Sequence, residues 1–484
     1  MNAPIRKTKI VCTMGPNLFE KHLIAPLMKA GMNVARFNFS HGTYETHQHY
    51  YDEVCRIRDE LGLPVATMLD TKGPEIRVRS FKNGRVTLQN GQLFTLTTDE
   101  VEGDEERVSI TYKELPQDIA VGSSILIDDG LIGMQVERID GADIVCRVLN
   151  GGVVSNNKGV NIPNAHLSMP FISEKDHQDI LFAIKNGYDF IAASFTRCAD
   201  DIMQIRHILQ ENNCHTINII AKIENMEGVE NIDEILRVVD GVMVARGDLA
   251  VELSYAKVPT AQKMIIHEAN RRGKITITAT EMLSSMIENP LPTRADVSDV
   301  ANAVWDGTDA VMLSNESAMG KYPVEAVRAM KEIIIETEAA KGVFRHDKML
   351  LESMDLPEVT RGENALCKAV SSLSHDMNER GIAVLSKTGE TAKMLSKYRP
   401  GSPIFALSNS IPLCSRMAMF HNVVPVFIPY EDQDELSEYD VARILRDMKH
   451  VKNGDTLICV SGRRSSRDSS LWAAHGISTL VVGQ

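Results

Sequence analysis

Short apolar, β-branched runs alternate with amphipathic helical runs through most of this chain, and this alternation constrains its fold more than any other feature. Strands that alternate with helices usually pair in parallel, with the helices as crossovers, so the pattern predicts βα units. The predicted strands are Lys9–Thr13, Val34–Phe37, Val65–Leu69, Phe190–Ala193, Ile217–Ile223, Gly241–Ala245, Ile275–Ala279 and Ala310–Leu313. About eight such strands close a TIM (β/α)8 barrel, which is the predicted core of the fold.

The barrel pattern is interrupted after the third predicted strand. From about Gly73 to Ser168 the hydrophobic pattern has period two and contains turn dipeptides such as Asn83-Gly84 and Asp129-Gly130, which indicates an inserted all-β domain. Beyond Ala340 a further helix and strand alternation runs to the C-terminus and predicts an α/β domain. The predicted boundaries are 1–72 and 169–342 for the barrel, 73–168 for the inserted domain, and 343–484 for the C-terminal domain.

Composition excludes several classes of function. The net charge of -13 argues against a nucleic-acid surface, since binding to nucleic-acid phosphates needs clustered Lys and Arg. No apolar run approaches the roughly 18 residues that a membrane span requires. The N-terminus does not resemble a signal peptide, and eight cysteines without a Cys-x-x-Cys pair indicate reduced residues rather than disulfides or zinc. We therefore expect a cytoplasmic protein with neither nucleic acid nor membrane as a partner.

Charged and polar residues follow the carboxyl ends of the predicted strands, where TIM barrels carry their chemistry. These segments are Arg36–Gly42, Asp70–Lys72, Lys222–Asn225, Ala245–Asp248, Thr280–Glu281 and Ser314–Glu316. Glu224 and Asp248 follow adjacent strands, and two carboxylates completed by water and ligand oxygens are a common Mg²⁺ site. Salt bridges from these acids to Arg36 or Arg246 are the alternative, and position alone leaves both open.

Lys222 lies beside the two acids and has two plausible roles. It could neutralise charge on a transferring group, or it could form a Schiff base; a neighbouring metal site favours the first role. The chain contains no G-x-x-x-x-G-K-[ST] loop, so a bound nucleotide would be held in another way.

Six ordered segments carry a family resemblance: Asn33–Gly42, Leu69–Arg77, Ala221–Asn225, Val244–Leu249, Ala279–Thr280 and Pro292–Ala295. By these segments the chain resembles the pyruvate kinase family along nearly its whole length. The resemblance implies transfer of the phosphoryl group of phosphoenolpyruvate to ADP, which gives pyruvate and ATP in glycolysis, by a homotetramer. A Mg²⁺-dependent lyase or aldolase is the main alternative, but it explains neither the inserted domain nor the pairing of Lys222 with Glu224. A non-catalytic scaffold is a third interpretation.

The resemblance also implies roles for individual residues. It assigns catalysis to Arg36, Lys222 and Thr280, and substrate binding to Arg36, Gly247, Asp248 and Thr280. It assigns Mg²⁺ or Mn²⁺ to Glu224 and Asp248, and K⁺ to Asn38, Ser40, Asp70 and Thr71. It assigns the nucleotide to Asn38, Ser40, His41, Arg77 and Lys158, the last two from the inserted domain acting as a lid. Relatives with lysine at the position of Glu75 can dispense with K⁺, so Glu75 implies K⁺ dependence.

The last predictions concern regulation and the positions at which this sequence differs from the family pattern. Related enzymes bind a sugar phosphate through a Ser/Thr-rich loop, and the candidate effector residues here are Ser386, Lys387, Thr388, Thr391, Arg463, Arg464 and Arg467. Glu390 stands where a basic residue often helps, and it would repel a phosphate. Ala250, Glu281 and Asn315 replace an expected glycine, glutamine and glycine, and we expect Glu281 to change substrate affinity modestly.

Overall fold

Eight parallel strands close into a barrel in which each strand pairs with its sequence neighbours and the last pairs with the first, so the predicted TIM barrel is confirmed. The structure is a computed structural model, and it describes residues 5–163, 165–340, 358–377, 379–430, 436–464 and 472–483. The first to eighth barrel strands are Lys9–Thr13, Val34–Asn38, Ala66–Asp70, Phe190–Ala193, Asn218–Ile223, Gly241–Ala245, Ile275–Ala279 and Ala310–Leu313. All are almost fully buried, because side chains fill the barrel and helices cover it.

Helices surround the barrel and follow the predicted pattern. The longer ones are Ile24–Ala30, Tyr44–Leu61, Glu174–Asn186, Ala199–Glu211, Ile232–Val238, Val258–Arg271, Arg294–Trp305 and Pro323–Ala339. The helix that begins at Glu174 has a capping box between Ser173 and Asp176, and it ends at Gly187 in the left-handed conformation.

The structure also contains several short helices that the alternation of strands and helical runs does not predict. They are Pro16–Glu20, Met226–Glu230, Arg246–Leu253 and Asn315–Ala318, together with the 3-10 turn Ser284–Ile287. Four of the five have only four or five residues, which are too few for a helical periodicity to emerge. Three of them directly follow the fifth, sixth and eighth barrel strands, so they lie beside the carboxyl ends of the barrel strands.

The inserted domain, called the lid below, is all-β apart from the short helix Leu115–Asp118. Its strands are Ile76–Arg77, Arg85–Leu88, Leu93–Thr97, Arg107–Ser109, Ser124–Ile127, Ile132–Asp140, Asp143–Asn150, Gly152–Ser155 and Gly159–Asn161. They form a seven-stranded and a two-stranded sheet around a separate apolar core. The lid contacts the barrel through Asn161 Nδ2, which donates to Glu252 Oε1 at 3.0 Å.

The C-terminal domain is a five-stranded sheet with helices, as the α/β pattern predicts. Its strands are Gly381–Leu385, Ile404–Ser408, Val423–Phe427, Thr456–Arg464 and Trp472–Val481, and its helices are Glu358–Asp376, Glu390–Lys397, Ile411–Met417 and Glu438–Asp447. It packs against the amino ends of the barrel strands, where Lys9 Nζ donates to Val423 O at 2.6 Å. The C-terminal domain and the lid therefore contact opposite ends of the barrel. Across the described ranges, no helix combines the length and apolarity needed to cross a bilayer.

Candidate active site

A chain of buried charges joins the second, third and fifth barrel strands at their carboxyl ends. Arg36 Nε lies 2.6 Å from Asp70 Oδ2, and Lys222 Nζ lies 3.1 Å from Asp70 Oδ1 and 3.0 Å from Glu224 Oε1. Lys222 Nζ also donates to Ser194 Oγ at 2.6 Å. Buried charges are tolerated only when paired and hydrogen-bonded, and each of these has at least one such partner. The network therefore holds the Lys222 ammonium in one place.

The environment of Lys222 determines its charge. Burial alone would lower the pKa of this lysine, but the carboxylates of Asp70 and Glu224 outweigh burial and raise the pKa above its ordinary value. Lys222 is therefore a permanent cation at neutral pH. A Schiff-base lysine must react as the neutral amine, so this environment favours charge neutralisation instead.

Glu224, which is buried, and Asp248, which is partly exposed, form an acidic pair beside that cation. Burial raises the pKa of both carboxyls; Lys222 opposes this in each case, whereas Asp248 adds to the increase at Glu224 and Asp129 of the lid adds to that at Asp248. Glu224 Oε2 also accepts from Phe195 N at 2.6 Å. Two acids that resist ionisation together are suited to a divalent cation, which relieves their repulsion.

The salt bridges that were the alternative for these acids are not formed. Arg36 pairs with Asp70, and Arg246 Nη1 lies 2.7 Å from Asp299 Oδ1. Within the described residues, no group of three or more His, Cys, Asp or Glu side chains is arranged to hold a metal. Glu224 and Asp248 therefore fit a metal that takes its remaining ligands from water and substrate, which is the usual mode for Mg²⁺.

Thr280 follows the seventh strand in a backbone conformation that non-glycine residues seldom adopt, with φ of 63° there and 55° at Glu281. Arg246 holds this turn, since its Nε donates to Ala279 O at 3.2 Å and its Nη2 to Thr280 O at 2.5 Å. Gly247 N donates to Thr280 Oγ1 at 2.9 Å, so the predicted substrate donor and the threonine are in direct contact. The side chain of Glu281 is exposed, and solvent therefore screens its charge.

The candidate K⁺ residues lie together, but much of their bonding capacity is used. Asn38 and Asp70 are register partners on neighbouring strands, and Asn38 Oδ1 accepts from Ser40 N at 3.1 Å. Both Asp70 oxygens contact cationic side chains, as described above. Thr71 Oγ1 accepts from Ser194 N at 3.1 Å.

A cavity of about 590 Å³ separates the lid from the barrel, and His41, Arg77, Lys158 and Asp248 are among the residues that line it. Arg77 Nε lies 2.7 Å from Glu75 Oε1, and Lys158 Nζ lies 2.8 Å from Asp128 Oδ1. Three nucleotide candidates and one metal candidate therefore face the same space. Its size suits a nucleotide-sized ligand.

Comparison with known proteins agrees with this geometry. Residues 5–327 match the pyruvate kinase barrel domain, and residues 364–471 match the pyruvate kinase alpha/beta domain. The chain belongs to the pyruvate kinase family. It is 44% identical over 482 residues to the pyruvate kinase of Geobacillus stearothermophilus, covering 99% of this chain and 81% of that protein. It is 46% identical over 461 residues to that of Staphylococcus aureus (strain COL), covering 95% and 78%.

A solved pyruvate kinase structure from Cryptosporidium parvum shares the fold. The TM-score is 0.90 at 36% identity, over 97% of this chain and 96% of the other. The predicted family, fold and activity are therefore confirmed: this pyruvate kinase family member is a phosphotransferase that uses phosphoenolpyruvate and ADP. The lyase, aldolase and scaffold alternatives are excluded. The residue roles and the domain boundaries remain predictions.

The sequence prediction omitted the segment after the fourth strand, and two residues of this segment contact the candidate site or the connection to the lid. Ser194 Oγ bridges Lys222 and Asp70, to which it donates at 3.1 Å. Arg197 Nη1 donates to Leu167 O at 3.2 Å and Met169 O at 3.0 Å, where the chain returns from the lid to the barrel. The polar run from Ser194 to Arg197 directly after a buried strand was the signal that could have revealed both.

The candidate effector loop of the C-terminal domain is held by its own contacts. Ser386 Oγ accepts from Gly389 N at 3.0 Å, and Thr388 Oγ1 accepts from Glu390 N at 3.3 Å. Thr391 Oγ1 donates to the Glu363 carboxylate at 2.6 Å. Lys387 is described within the same loop. For Arg463 and Arg464 only the strand backbone is described, and Arg467 lies outside the described residues.

Proposed function

We propose that phosphoryl transfer in this protein takes place at Lys222, at the carboxyl end of the fifth barrel strand. The observation that carries the proposal is that Asp70 and Glu224 hold the Lys222 ammonium as a fixed cation beside an acidic pair. Phosphoryl transfer needs positioning and charge neutralisation more than covalent chemistry. Lys222 would face the phosphoryl group that is transferred. Arg36, which Asp70 holds in place, would bind phosphoenolpyruvate from the end of the second strand.

Glu224 and Asp248 would hold Mg²⁺ or Mn²⁺. When bound, the ion would polarise phosphoryl oxygens and neutralise their charge. The raised pKa of both carboxyls supports this assignment. Burial makes their ionisation costly, and a bound divalent cation would stabilise the ionised forms. A continuous assay of pyruvate formation from phosphoenolpyruvate and ADP, with and without Mg²⁺, tests the proposal. Turnover that persists in a chelator would refute it.

Thr280, Gly247 and Asp248 would complete the substrate pocket. The contact between Gly247 N and Thr280 Oγ1 supports this grouping, and substrate oxygens would compete for the same N–H. By its assignment to the substrate pocket, Thr280 would lie close to the enolate carbon that receives the proton. An alcohol is a weak acid, so a water relayed through the hydroxyl is the better donor.

The nucleotide would bind in the cavity under the lid. Asn38, Ser40 and His41 would contact it from the barrel, and Arg77 and Lys158 from the lid. The two lid cations support this proposal because they reach the cavity from the side opposite Asp248. Closure of the lid would bring their charge onto the phosphates of ADP and exclude water.

K⁺ would bind at Asn38, Ser40, Asp70 and Thr71, an all-oxygen set. Glu75 retains a negative charge near this region, and Lys72 at 3.1 Å and Arg77 at 2.7 Å are its partners. We expect turnover to fall when K⁺ is replaced by tetramethylammonium at constant ionic strength. Na⁺ at the same concentration is a control for ion size. Equal turnover in all three salts would contradict the assignment.

We also propose a cytoplasmic homotetramer whose C-terminal domain binds a sugar-phosphate effector. Light scattering on the purified protein tests the assembly, and a mass other than four chains would refute it. Assays at low phosphoenolpyruvate with a panel of sugar phosphates test the effector. No change in half-saturation with any of them would refute that part. The acids at Glu363 and Glu390 make the loop from Ser386 to Thr391 a poor phosphate site on its own.

A further inference from the structure

A second cationic site lies at the opposite end of the barrel from Lys222. It is a cleft between the barrel and the C-terminal domain, here called the basic cleft, and Lys274, Lys393, Lys397 and Arg399 line it. Lys274 directly precedes the seventh barrel strand, and the other three belong to the C-terminal helix Glu390–Lys397 or follow it. Four cationic side chains from two domains therefore converge in a protein whose net charge is -13.

Two of the acids near the basic cleft are already paired, and a third, Glu390, is exposed to solvent. Asp309, which also lines it, lies 2.7 Å from Arg399 Nη1, and Asp240 Oδ2 lies 3.0 Å from Arg206 Nη2. Lys274 Nζ donates to the neutral carbonyl of Val239 at 2.7 Å. Among the residues that the structure describes, neither Lys274 nor Lys393 forms an ion pair. The basic cleft thus has an excess of positive charge that its own side chains do not neutralise.

The pKa values agree with that excess. Burial, followed by the charge of Lys393, lowers the pKa of Lys274 to about 8, even though Asp240 and Glu390 act in the opposite direction. Burial lowers the pKa of Lys397 to about 8 as well. A bound anion would offset both effects and return the two lysines to the charged form.

The position of the lysines across the interface is fixed by packing. Gly273 has a φ of 64°, and a Cβ there would lie 2.9 Å from Lys397 Cδ, so the lysine stem rests directly on the glycine. Arg399 Nη2 donates to Gly307 O at 2.8 Å, which ties the same segment to the barrel. These contacts hold the cationic groups of the two domains close together.

We propose that the basic cleft binds a phosphate group, either free or as a monoester, through Lys274 and Lys393. The Nζ of Lys397 donates to Asn364 Oδ1 at 3.3 Å, so Lys397 contributes only its charge. Lysine ammonium groups bind phosphate as point charges and do not require a preformed fork geometry. The interior of the cleft is small, about 20 Å³, so phosphoryl oxygens enter it and the remainder of an ester lies outside. This proposal is independent of the active-site assignments. It assigns phosphate recognition in the C-terminal half to residues other than the loop from Ser386 to Thr391.

Titration calorimetry on the full chain tests the proposal. Inorganic phosphate and glycerol 2-phosphate are the probes. Phosphoenolpyruvate and ADP are left out because their phosphates would compete for the cleft, and any binding at the active site is common to the wild type and the variants. We expect the wild type to bind a probe and Lys274→Met/Lys393→Met to lose at least tenfold in affinity. Lys185→Met/Lys452→Met removes two exposed lysines, one from each domain, and is the charge-matched control that should bind like the wild type.

Two further measurements keep the proposal falsifiable if the methionine variant folds poorly. Lys274→Arg/Lys393→Arg should retain affinity within about threefold, because it retains both charges. At pH 8, binding to the wild type should take up protons, detected as a binding enthalpy that depends on the ionisation enthalpy of the buffer. Absence of binding to the wild type, or equal loss of affinity in the cleft variant and the charge-matched control, would overturn the proposal.

Discussion

Two buried lysines at opposite ends of the barrel show how a neighbour determines the charge of a side chain. Lys222 lies at the carboxyl end between Asp70 and Glu224, and its pKa is raised. Lys9 lies at the amino end, where its Nζ donates to Val423 O, and burial followed by the charge of Arg6 lowers its pKa to about 7. Both side chains are almost completely buried. Burial therefore does not decide the charge; the presence of a carboxylate partner does.

The difference in lysine charge agrees with the functions proposed for the two ends of the barrel. A phosphoryl group in transfer needs a cation that stays charged at every pH at which the enzyme works. The end that contacts the C-terminal domain carries lysines with lowered pKa values, such as Lys9 and Lys274. Substitutions at each end test whether a carboxylate partner sets the charge of the buried lysine.

Replacement of Lys222 by methionine should have the largest effect. Methionine approximates the length of lysine without its charge, so we expect turnover to fall by at least about a thousandfold while metal still binds at Glu224 and Asp248. The assay of pyruvate formation measures the first, and Mn²⁺ binding followed by electron paramagnetic resonance measures the second. Substantial remaining turnover in a folded variant would remove the role proposed for the fixed cation.

Replacement of Asp248 by asparagine should have the next largest effect. It removes one charge of the acidic pair, so we expect Mn²⁺ affinity to fall roughly tenfold to a hundredfold, with turnover at saturating metal affected less. Asp299→Asn is the matched control, because Asp299 pairs with Arg246 at the same end of the barrel. If both variants bind Mn²⁺ like the wild type, the acidic pair is not the metal site.

The barrel strands were predictable because each is a continuous apolar run with polar residues after it. All eight predicted strands begin and end within one residue of the observed strands, and five of the eight match at both ends. The polar residues after these runs include Lys222, Glu224, Asp248 and Thr280. Residues at the carboxyl ends of parallel barrel strands lie close together regardless of loop conformation.

The contacts of Asp70 and Ser194 were not predictable in the same way. The resemblance assigned Asp70 to K⁺, whereas in the structure its two oxygens contact Arg36 and Lys222. Such pairs join side chains from different strands, and their partners depend on three-dimensional packing rather than on any local pattern. The basic cleft is a further case, because Lys274 and Lys393 belong to different domains and only the interface brings them together.

Arg197 and Arg206 make similar contacts at opposite ends of the barrel, so their substitutions can be compared directly. Each pairs with an aspartate and donates to a backbone carbonyl, but Arg197 holds the Leu167 and Met169 carbonyls at the lid connection, and Arg206 holds the Val238 carbonyl at the amino end. We expect Arg197→Met to raise the KM for ADP roughly tenfold, through loss of charged hydrogen bonds worth about 1.5 kcal/mol, with a smaller change in kcat.

Arg206→Met is the control for that measurement, and its KM for ADP should stay within about twofold of the wild type. Hydrogen exchange gives an independent readout: amides near 165–171 should exchange faster in the Arg197 variant alone. Equal effects of the two substitutions on KM and on exchange would show that Arg197 has only a general structural role.

Replacement of Lys9 by methionine should have the smallest effect on turnover, and its effect should appear in the pH dependence of stability. Because the folded pKa is about 7 and the unfolded pKa about 10.4, the unfolded state binds more protons between these values. The stability of the wild type should therefore rise relative to the variant as pH increases above 7, by at most about 1.4 kcal/mol per pH unit. Below pH 7 the difference should be constant, since Lys9 is charged in both states.

Denaturant unfolding of the wild type and Lys9→Met at several pH values from 6 to about 9.5 measures this difference. The exposed Lys185→Met is the control, and its difference from the wild type should not depend on pH. A Lys9 variant whose stability stays parallel to the wild type throughout would mean that Lys9 is as firmly charged as Lys222. In that case the carbonyl of Val423 and the distant acids would suffice to hold a buried cation, and a carboxylate in direct contact would not be the deciding feature.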